Sequence, residues 1–437
     1  VNQGISAEQA VVEASRCLDC ANPQCVTGCP VNINIPKFIK NIERGAFGEA
    51  AATLKETSSL PAVCGRVCPQ EKQCESRCIH TKMKHPAVAI GYLERFAADW
   101  QRDNLPQEVP AMAPANGIKV AVIGSGPSGL SFAGDMAKKG FSVTVFEALH
   151  EIGGVLKYGI PEFRLPNHIV DYEIEGLRKM GVEFVKDCLV GKTISYEDLH
   201  EMGFKGIFVG SGAGFPRFMN IPGENLNGIM SSNEYLTRIN LMEAGRGGDT
   251  PVLRGKTIAV IGGGNTAMDS TRTALRMGTE RVILIYRRSE EEMPARLEEV
   301  GHAKEEGVEF KTLHNPIEYI GDDKGRVVAM RVQKMELGEP DASGRRSPVP
   351  IEGAIEEIPV DLVVVAVGVS PNQLVPRSIP GLDISKRNTI VVNEETMQSS
   401  VGDLYAGGDI VRGGATVILA MGDGRRAALN MAEALLG

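Results

Sequence analysis

Lys119-Val-Ala-Val-Ile-Gly124-Ser-Gly126-Pro-Ser-Gly129 is the stretch that decides the fold of this chain. A β-branched run enters a G-x-G-x-x-G turn, and a helical pattern leaves it. Gly124 permits the tight turn, Gly126 lets the backbone approach a pyrophosphate, and Gly129 allows close helix–strand packing. The phosphates then rest on a helix N-terminus. The next strand, Ser142–Phe146, ends at Glu147, whose carboxylate is placed to accept ribose hydroxyls and would repel a 2′-phosphate. The first turn therefore suits the ADP half of FAD.

The chain carries a second copy, Thr257-Ile-Ala-Val-Ile-Gly262-Gly-Gly264-Asn265-Thr266-Ala267. Its following strand, Arg281–Tyr286, ends at Arg287-Arg288, where the first copy has Glu147. Guanidinium groups there suit bidentate binding of a 2′-phosphate. The second turn thus suits NADP(H); the plainer alternative is that the arginines are a solvated pair. Toward the C-terminus, Leu404-Tyr-Ala-Gly407-Gly408-Asp409 and the segment from Thr416 to Leu429 predict a strand, a turn and a final helix. Asp409 is a candidate acceptor for a ribityl hydroxyl, or else a turn residue. The final helix, from Thr416 on, offers its N-terminus to negative charge on a reduced flavin.

Upstream the character changes. Eight of the nine cysteines (Cys17, Cys20, Cys25, Cys29, Cys64, Cys68, Cys74, Cys78) lie between residues 17 and 78, and Cys188 stands alone. A secreted disulfide scaffold would be small and carry a signal, and none is visible; clustered thiols in a cytoplasmic enzyme more often bind metal. The runs are Cys17-x2-Cys20-x4-Cys25-x3-Cys29-Pro30 and Cys64-x3-Cys68-Pro69-x5-Cys74-x3-Cys78. Structural zinc prefers paired CxxC units, and only one CxxC occurs. In two-cluster ferredoxins the cysteine before Pro ligates the other cluster. Cys29 is then expected to leave its own run and join the second. Two iron–sulfur clusters are favoured over zinc and over plain buried thiols.

The 437 residues suggest about three domains at roughly 150 residues each. The stretch 1–108 reads as mostly helical, with helices expected over Ser6–Cys17, Pro36–Arg44 and Ala87–Trp100. A Pro-rich linker, Leu105–Gly117, leads to an α/β rhythm expected to divide at 118–235, 236–370 and 371–437. Gly338–Pro350 reads as a surface hairpin or loop. A net charge of −8 without a long basic run argues against nucleic acid or an anionic membrane as partner. The longest apolar run, Leu362 to Val369, is too short to span a bilayer.

Taken together, these motifs resemble the family of the small subunit of bacterial glutamate synthase. Its relatives include the large subunit of NADH-dependent ferredoxin:NADP oxidoreductase and the N-terminal half of dihydropyrimidine dehydrogenase. The resemblance rests on Cys64-Gly-Arg-Val-Cys68-Pro-Gln70, Tyr158-Gly-Ile-Pro-Glu-Phe-Arg-Leu-Pro166, Gly262–Asp269, Tyr286-Arg-Arg-Ser289 and Ala406-Gly-Gly-Asp-Ile-Val-Arg412. It implies an α/β fold: a helical iron–sulfur domain, then two glutathione-reductase-like Rossmann-type domains, the NADPH domain inserted in the FAD domain.

The same resemblance implies two [4Fe–4S] clusters. One would be held by Cys17, Cys20, Cys25 and Cys78. The other would be held by Cys29, Cys68, Cys74 and Glu94, which leaves Cys64 out of the ligand set. Read from the residues alone, Glu94 is an exposed helix carboxylate. Gly153 and Gly154, with the Tyr158–Pro166 segment, are implied to line the flavin.

The function expected is hydride exchange between NADP(H) and FAD with a one-electron relay through the clusters. No acid–base residue is obligatory, and the seven histidines show no metal-ligand spacing. The expected partner is a second redox subunit, either a glutamate synthase large subunit or a small flavin and [2Fe–2S] subunit that would make the enzyme electron-bifurcating. Ferredoxin is a further candidate. The non-enzyme alternative is a partner-binding protein with structural clusters.

Overall fold

The computed structural model describes residues 3–244 and 249–437. Residues 1–2 and 245–248, which fall in the first and third expected domains, lie outside the described residues. The N-terminal region is helical, as its amphipathic pattern predicts. Ser6 accepts from the Gln9 amide, and the Gln9 side chain returns to the Ser6 amide, a capping box that starts Ala7–Ser15. Pro36 stands in the first turn of Ile35–Glu43, where a missing N–H costs nothing. Pro61–Val67 ends at Cys68, and Ile90–Asn104 buries Leu93, Glu94 and Ala97 on one face.

Two five-stranded sheets follow, every pairing in them parallel. In the first, the spatial order is Leu404–Ala406, Phe204–Val209, Lys119–Ile123, Ser142–Phe146, Glu183–Val185. In the second it is Ile229–Ser231, Leu362–Val365, Thr257–Ile261, Arg281–Tyr286, Glu309–Thr312. The central strands of each are apolar and buried on both faces, as covered parallel strands require. An antiparallel three-stranded sheet, His314–Gly321, Val327–Pro340 and Arg346–Pro359, is attached to the second. The Gly338–Pro350 stretch is the tip of its longest hairpin.

The chain separates into two compact units. One runs from the N-terminal helices to Lys157, takes in Glu162–Gly214, and resumes at Ser370–Gly437; the other comprises Tyr158–Pro161 and Phe215–Val369. The second unit therefore interrupts the first in sequence, the insertion that the order of motifs predicts. It begins before residue 236, because Ile229–Ser231 adds an edge strand to its sheet and Ser231 caps the next helix. The helical cysteine region and the first parallel sheet belong to one unit. No helix among the described residues is long and apolar enough to cross a membrane.

Candidate functional site

In the first copy of the glycine turn, Gly124 and Gly129 answer to the fold and Gly126 does not. A methyl group on Gly129 would stand 2.1 Å from the Gly124 carbonyl oxygen, and Gly124 itself has φ +98°. On Gly126 the nearest atom would be the Gly210 oxygen at 4.0 Å. The second copy repeats this: Gly262 would meet the Ala366 oxygen at 2.4 Å, and Gly264 only Pro294 at 4.0 Å. Gly126 and Gly264 cap the N-termini of the helices Pro127–Lys138 and Asn265–Arg276. Each is thus an open cradle beneath free amides, the shape a pyrophosphate would fill.

Around the first turn the structure gathers most of the expected residues. Buried Glu147 accepts from the Ser125 amide (2.9 Å) and hydroxyl (2.5 Å) on Oε2, and from the Leu149 amide (2.9 Å) on Oε1. The Ser125 hydroxyl also accepts from the Gly153 amide at 2.9 Å. Gly154, at φ +54°, would touch the Gly126 backbone at 3.0 Å if it carried a Cβ, and Gly408 would touch the Ser128 hydroxyl at 2.9 Å. A carboxylate has about four acceptor positions, so Glu147 retains capacity for a ribose.

At the last turn Asp409 takes the turn role that the sequence allows it, and Asp423 takes one that the sequence does not announce. Asp409 Oδ1 accepts from the Ala415 amide at 2.8 Å and so closes its own loop; burial raises its pKa. Buried Asp423 accepts from the Gly408 amide (3.1 Å) and from two nitrogens of Arg412 (2.7 and 2.5 Å), fixing the Gly407-Gly408 turn from behind. Thr416 caps the helix Val417–Leu436 through its hydroxyl.

The second turn opens on a cavity of about 680 Å3 lined by Gly262, Gly264, Thr266, Arg287, Arg288 and Arg345 among others. Asn265 is not in that lining; its side-chain oxygen accepts from the Arg296 amide at 2.9 Å. The two arginines differ. Arg287 is exposed at the cavity and makes no hydrogen bond or ion pair with the described residues. Arg288 is buried and donates to Asp341 Oδ2 at 2.5 Å. Arg345, from the hairpin tip, is the lining residue that sequence patterning misses.

The cysteine field divides into two sets. Cys29, Cys68, Cys74 and Glu94 line one internal cavity of about 20 Å3, together with Gln70, Gln73 and Ile418. Cys25 lies within electrostatic range of Cys17 and Cys78, and Cys17 of Cys20. The second set is half-exposed at Cys17, Cys20 and Cys25. Cys64 is buried and does not line the cavity of the first set, but it adjoins that set: it hydrogen-bonds Cys68, lies within electrostatic range of Cys29 and Glu94, and has its sulfur 3.5 Å from Met421 Sδ.

Glu94 is not an exposed helix carboxylate: it is buried, because its helix packs that face inward on Pro61–Val67. Its Oε1 has no hydrogen-bond partner, and burial followed by the Glu173 carboxylate pushes its pKa to about 8. Burial likewise raises Cys29 to about 12 and Cys25 to about 11. Ionising acidic groups crowded in an apolar enclosure is costly, and a bound metal would offset that cost.

No group of three such side chains among the described residues converges on a single metal ion. A mononuclear zinc site needs that convergence. A cluster does not, since each ligand binds a different iron and the four stand around a space.

Residues 1–105 match the family described as dihydropyrimidine dehydrogenase domain II, 4Fe-4S cluster. Residues 118–424 match the pyridine nucleotide-disulphide oxidoreductase family. The chain is 36% identical over 433 residues to the NADPH glutamate synthase small chain of Azospirillum brasilense, covering 97% of this chain and 88% of that one. The corresponding Escherichia coli K12 small chain is 36% identical, with 98% and 92% covered. The beta subunit of an NADP(+)-dependent formate dehydrogenase from Moorella thermoacetica is 38% identical over 94% of this chain and 60% of its own length. Among solved structures, Mycobacterium tuberculosis FprA in complex with NADPH aligns with a TM-score of 0.62 at 20% identity, covering 74% of this chain and 85% of that one. At that identity the likeness speaks to the fold.

Proposed function

We propose, from the premise that this chain belongs to the glutamate synthase small-chain family, that it is an NADPH-dependent oxidoreductase subunit with FAD and two [4Fe–4S] clusters. The observation that carries this is the internal contrast between its two glycine turns. Both present an open cradle at Gly126 or Gly264, yet one strand ends in the buried carboxylate of Glu147 and the other in the unpaired guanidinium of Arg287. A carboxylate accepts ribose hydroxyls and repels a phosphate; a guanidinium does the reverse.

The flavin, when bound, exchanges a hydride with the nicotinamide and passes electrons on singly to iron–sulfur centres. The chain's own residues bind and orient. Ser125 and Glu147 fix the first turn, and Asp423 holds the Gly408 turn. Cys17, Cys20, Cys25 and Cys78 would hold one cluster, and Cys29, Cys68, Cys74 and Glu94 the other. The donor set fits, though the second cavity is small enough that its side chains would rotate outward around a cluster.

The set of Cys29, Cys68, Cys74 and Glu94 adjoins the final helix, Val417–Leu436. Ile418 lines its cavity, and Pro30 fills the space where a side chain on Gly422 would be, with its oxygen at 2.9 Å. This supports the second cluster as the first stop for electrons from the flavin.

Several relatives are named small chains or beta subunits. We therefore assign this chain a partner subunit with its own redox centre, a glutamate synthase large subunit or a flavin and [2Fe–2S] protein. Anaerobic titration of the reconstituted protein tests the assignment: NADPH should bleach the flavin band, and NADH at equal concentration should not. An unchanged spectrum would leave the clusters as structural staples.

Replacing Arg287 with alanine should weaken NADPH by about 10- to 100-fold, the worth of a charge-assisted hydrogen bond, while NADH stays near its original affinity. Arg288 is already paired with Asp341, so any effect of Arg288→Ala on the phosphate would come through that pair and not from a direct contact. Comparable losses for the two nucleotides, followed by fluorescence quenching, would reject the 2′-phosphate role.

A further inference from the structure

The tip of the long hairpin is fastened beside the nucleotide cavity, and it brings a third arginine there. Asp341 accepts from the Ser343 amide (2.8 Å) and hydroxyl (2.5 Å) on Oδ1, and from Arg288 on Oδ2. The backbone closes the same turn, with the Asp341 amide donating to the Arg345 carbonyl at 2.7 Å and Gly344 to the Asp341 carbonyl at 2.8 Å. Leu313 extends the attachment, donating to the Arg288 carbonyl at 3.1 Å and accepting from the Met335 amide at 2.8 Å.

Arg345 emerges from this turn into the cavity wall that holds Gly264, Thr266 and Arg287. Its Nε donates to the Ser343 hydroxyl at 3.0 Å, and its terminal nitrogens have no partner among the described residues. Asp341 cancels the charge of Arg288. Two uncompensated guanidinium groups then face the cavity, Arg287 from the sheet and Arg345 from the hairpin. A phosphate monoester carries up to about two negative charges near neutral pH, and these two groups match it.

We propose that Arg345 is a specificity-determining residue for the 2′-phosphate, and that the Arg288–Asp341 pair positions the hairpin that carries it. The proposal rests on the NADP(H) assignment of this cavity. Arg288 then acts through Asp341, and the selectivity for phosphate comes from Arg287 and Arg345, residues of two different sheets. A purely solvated Arg345 would leave nucleotide selectivity to Arg287 alone.

The test uses the full chain with its cofactors, titrated calorimetrically with NADP+, NAD+, adenosine 2′,5′-bisphosphate and ADP. Arg345→Ala is expected to weaken NADP+ and the bisphosphate by about 10- to 100-fold and to leave NAD+ and ADP within about twofold. Arg345→Lys, which keeps the charge and loses the fork, should fall between. Unchanged NAD+ and ADP binding also shows that the hairpin variant is folded.

Equal losses for phosphorylated and unphosphorylated ligands, or no loss for either, would overturn the proposal. Arg287→Ala separates the two levels of the argument. If Arg287→Ala discriminates and Arg345→Ala does not, the cavity still binds NADP(H) and only the hairpin role fails. If neither variant discriminates, the assignment of the cavity fails with it.

Discussion

Gly126→Ala is expected to give a chain that folds normally and binds flavin at least about tenfold more weakly. Alanine fits the backbone there, at φ −69° and ψ 179°, and its methyl group would find no atom nearer than 4.0 Å. Folding therefore loses nothing, and the unfolded chain loses some entropy, which favours the variant by a few tenths to about 1 kcal/mol. The same methyl group projects into the space before the helix amides of Pro127–Lys138, where the pyrophosphate oxygens belong.

Gly129→Ala is the contrasting variant, since its methyl group would lie 2.1 Å from a backbone oxygen that cannot move aside. That overlap should cost on the order of 3 kcal/mol or more in stability. The measurements are the thermal midpoint of each apoprotein and its flavin content after reconstitution. Gly126→Ala should keep its midpoint and lose flavin affinity by at least about tenfold, or about 1.4 kcal/mol. A full complement of flavin in Gly126→Ala would refute a pyrophosphate at this turn.

These glycines also show why so much of the fold is readable before folding. A strand, a glycine turn and a helix N-terminus are contiguous, so their chemistry is written within eleven residues on either copy. The parallel sheets and the interruption of one unit by the other follow from where those copies stand. What depends on distant packing is not readable in this way. Glu94 is buried only because its helix meets Pro61–Val67, and nothing in the local pattern Gly91-Tyr-Leu-Glu-Arg-Phe96 says which face turns inward.

Arg287 and Arg288, just past the end of the strand Arg281–Tyr286, are adjacent in sequence and opposite in role: one is exposed at the cavity and the other is buried against Asp341. Asn265 looked equally fit for a ligand and instead receives the Arg296 amide. Arg345 lies well downstream in a stretch whose composition signals only a turn, and Asp423 acts from behind the turn it supports. The legible part of the site is the part that is local; the missing part is made by side chains that return from far along the chain.

Cys68→Ser and Cys64→Ser should separate by about four irons. With two four-iron clusters the reconstituted chain holds about eight irons, and loss of Cys68 removes one of three thiolates that line a single cavity with Glu94. Iron content should then fall to about four, with the remaining cluster on Cys17, Cys20, Cys25 and Cys78. Cys64 belongs to the same Cys-x3-Cys motif, and by spacing alone it is as good a ligand.

Its position argues otherwise. Cys64 hydrogen-bonds Cys68, yet it is fully buried, does not line that cavity, and packs its sulfur 3.5 Å from Met421 on the final helix. Serine there is nearly isosteric, so Cys64→Ser should retain about eight irons and lose at most a modest amount of stability. That outcome would leave the Glu94 carboxylate, whose Oε1 has no hydrogen-bond partner, as the fourth ligand. Glu94→Ala should leave the count of cluster thiolates intact and yet alter the electron paramagnetic resonance signal of one reduced cluster, since ligand identity tunes the metal. If Cys64→Ser instead loses about four irons and Glu94→Ala leaves both signals unchanged, the thiol is the ligand, and the buried Glu94 carboxyl stays protonated beside it.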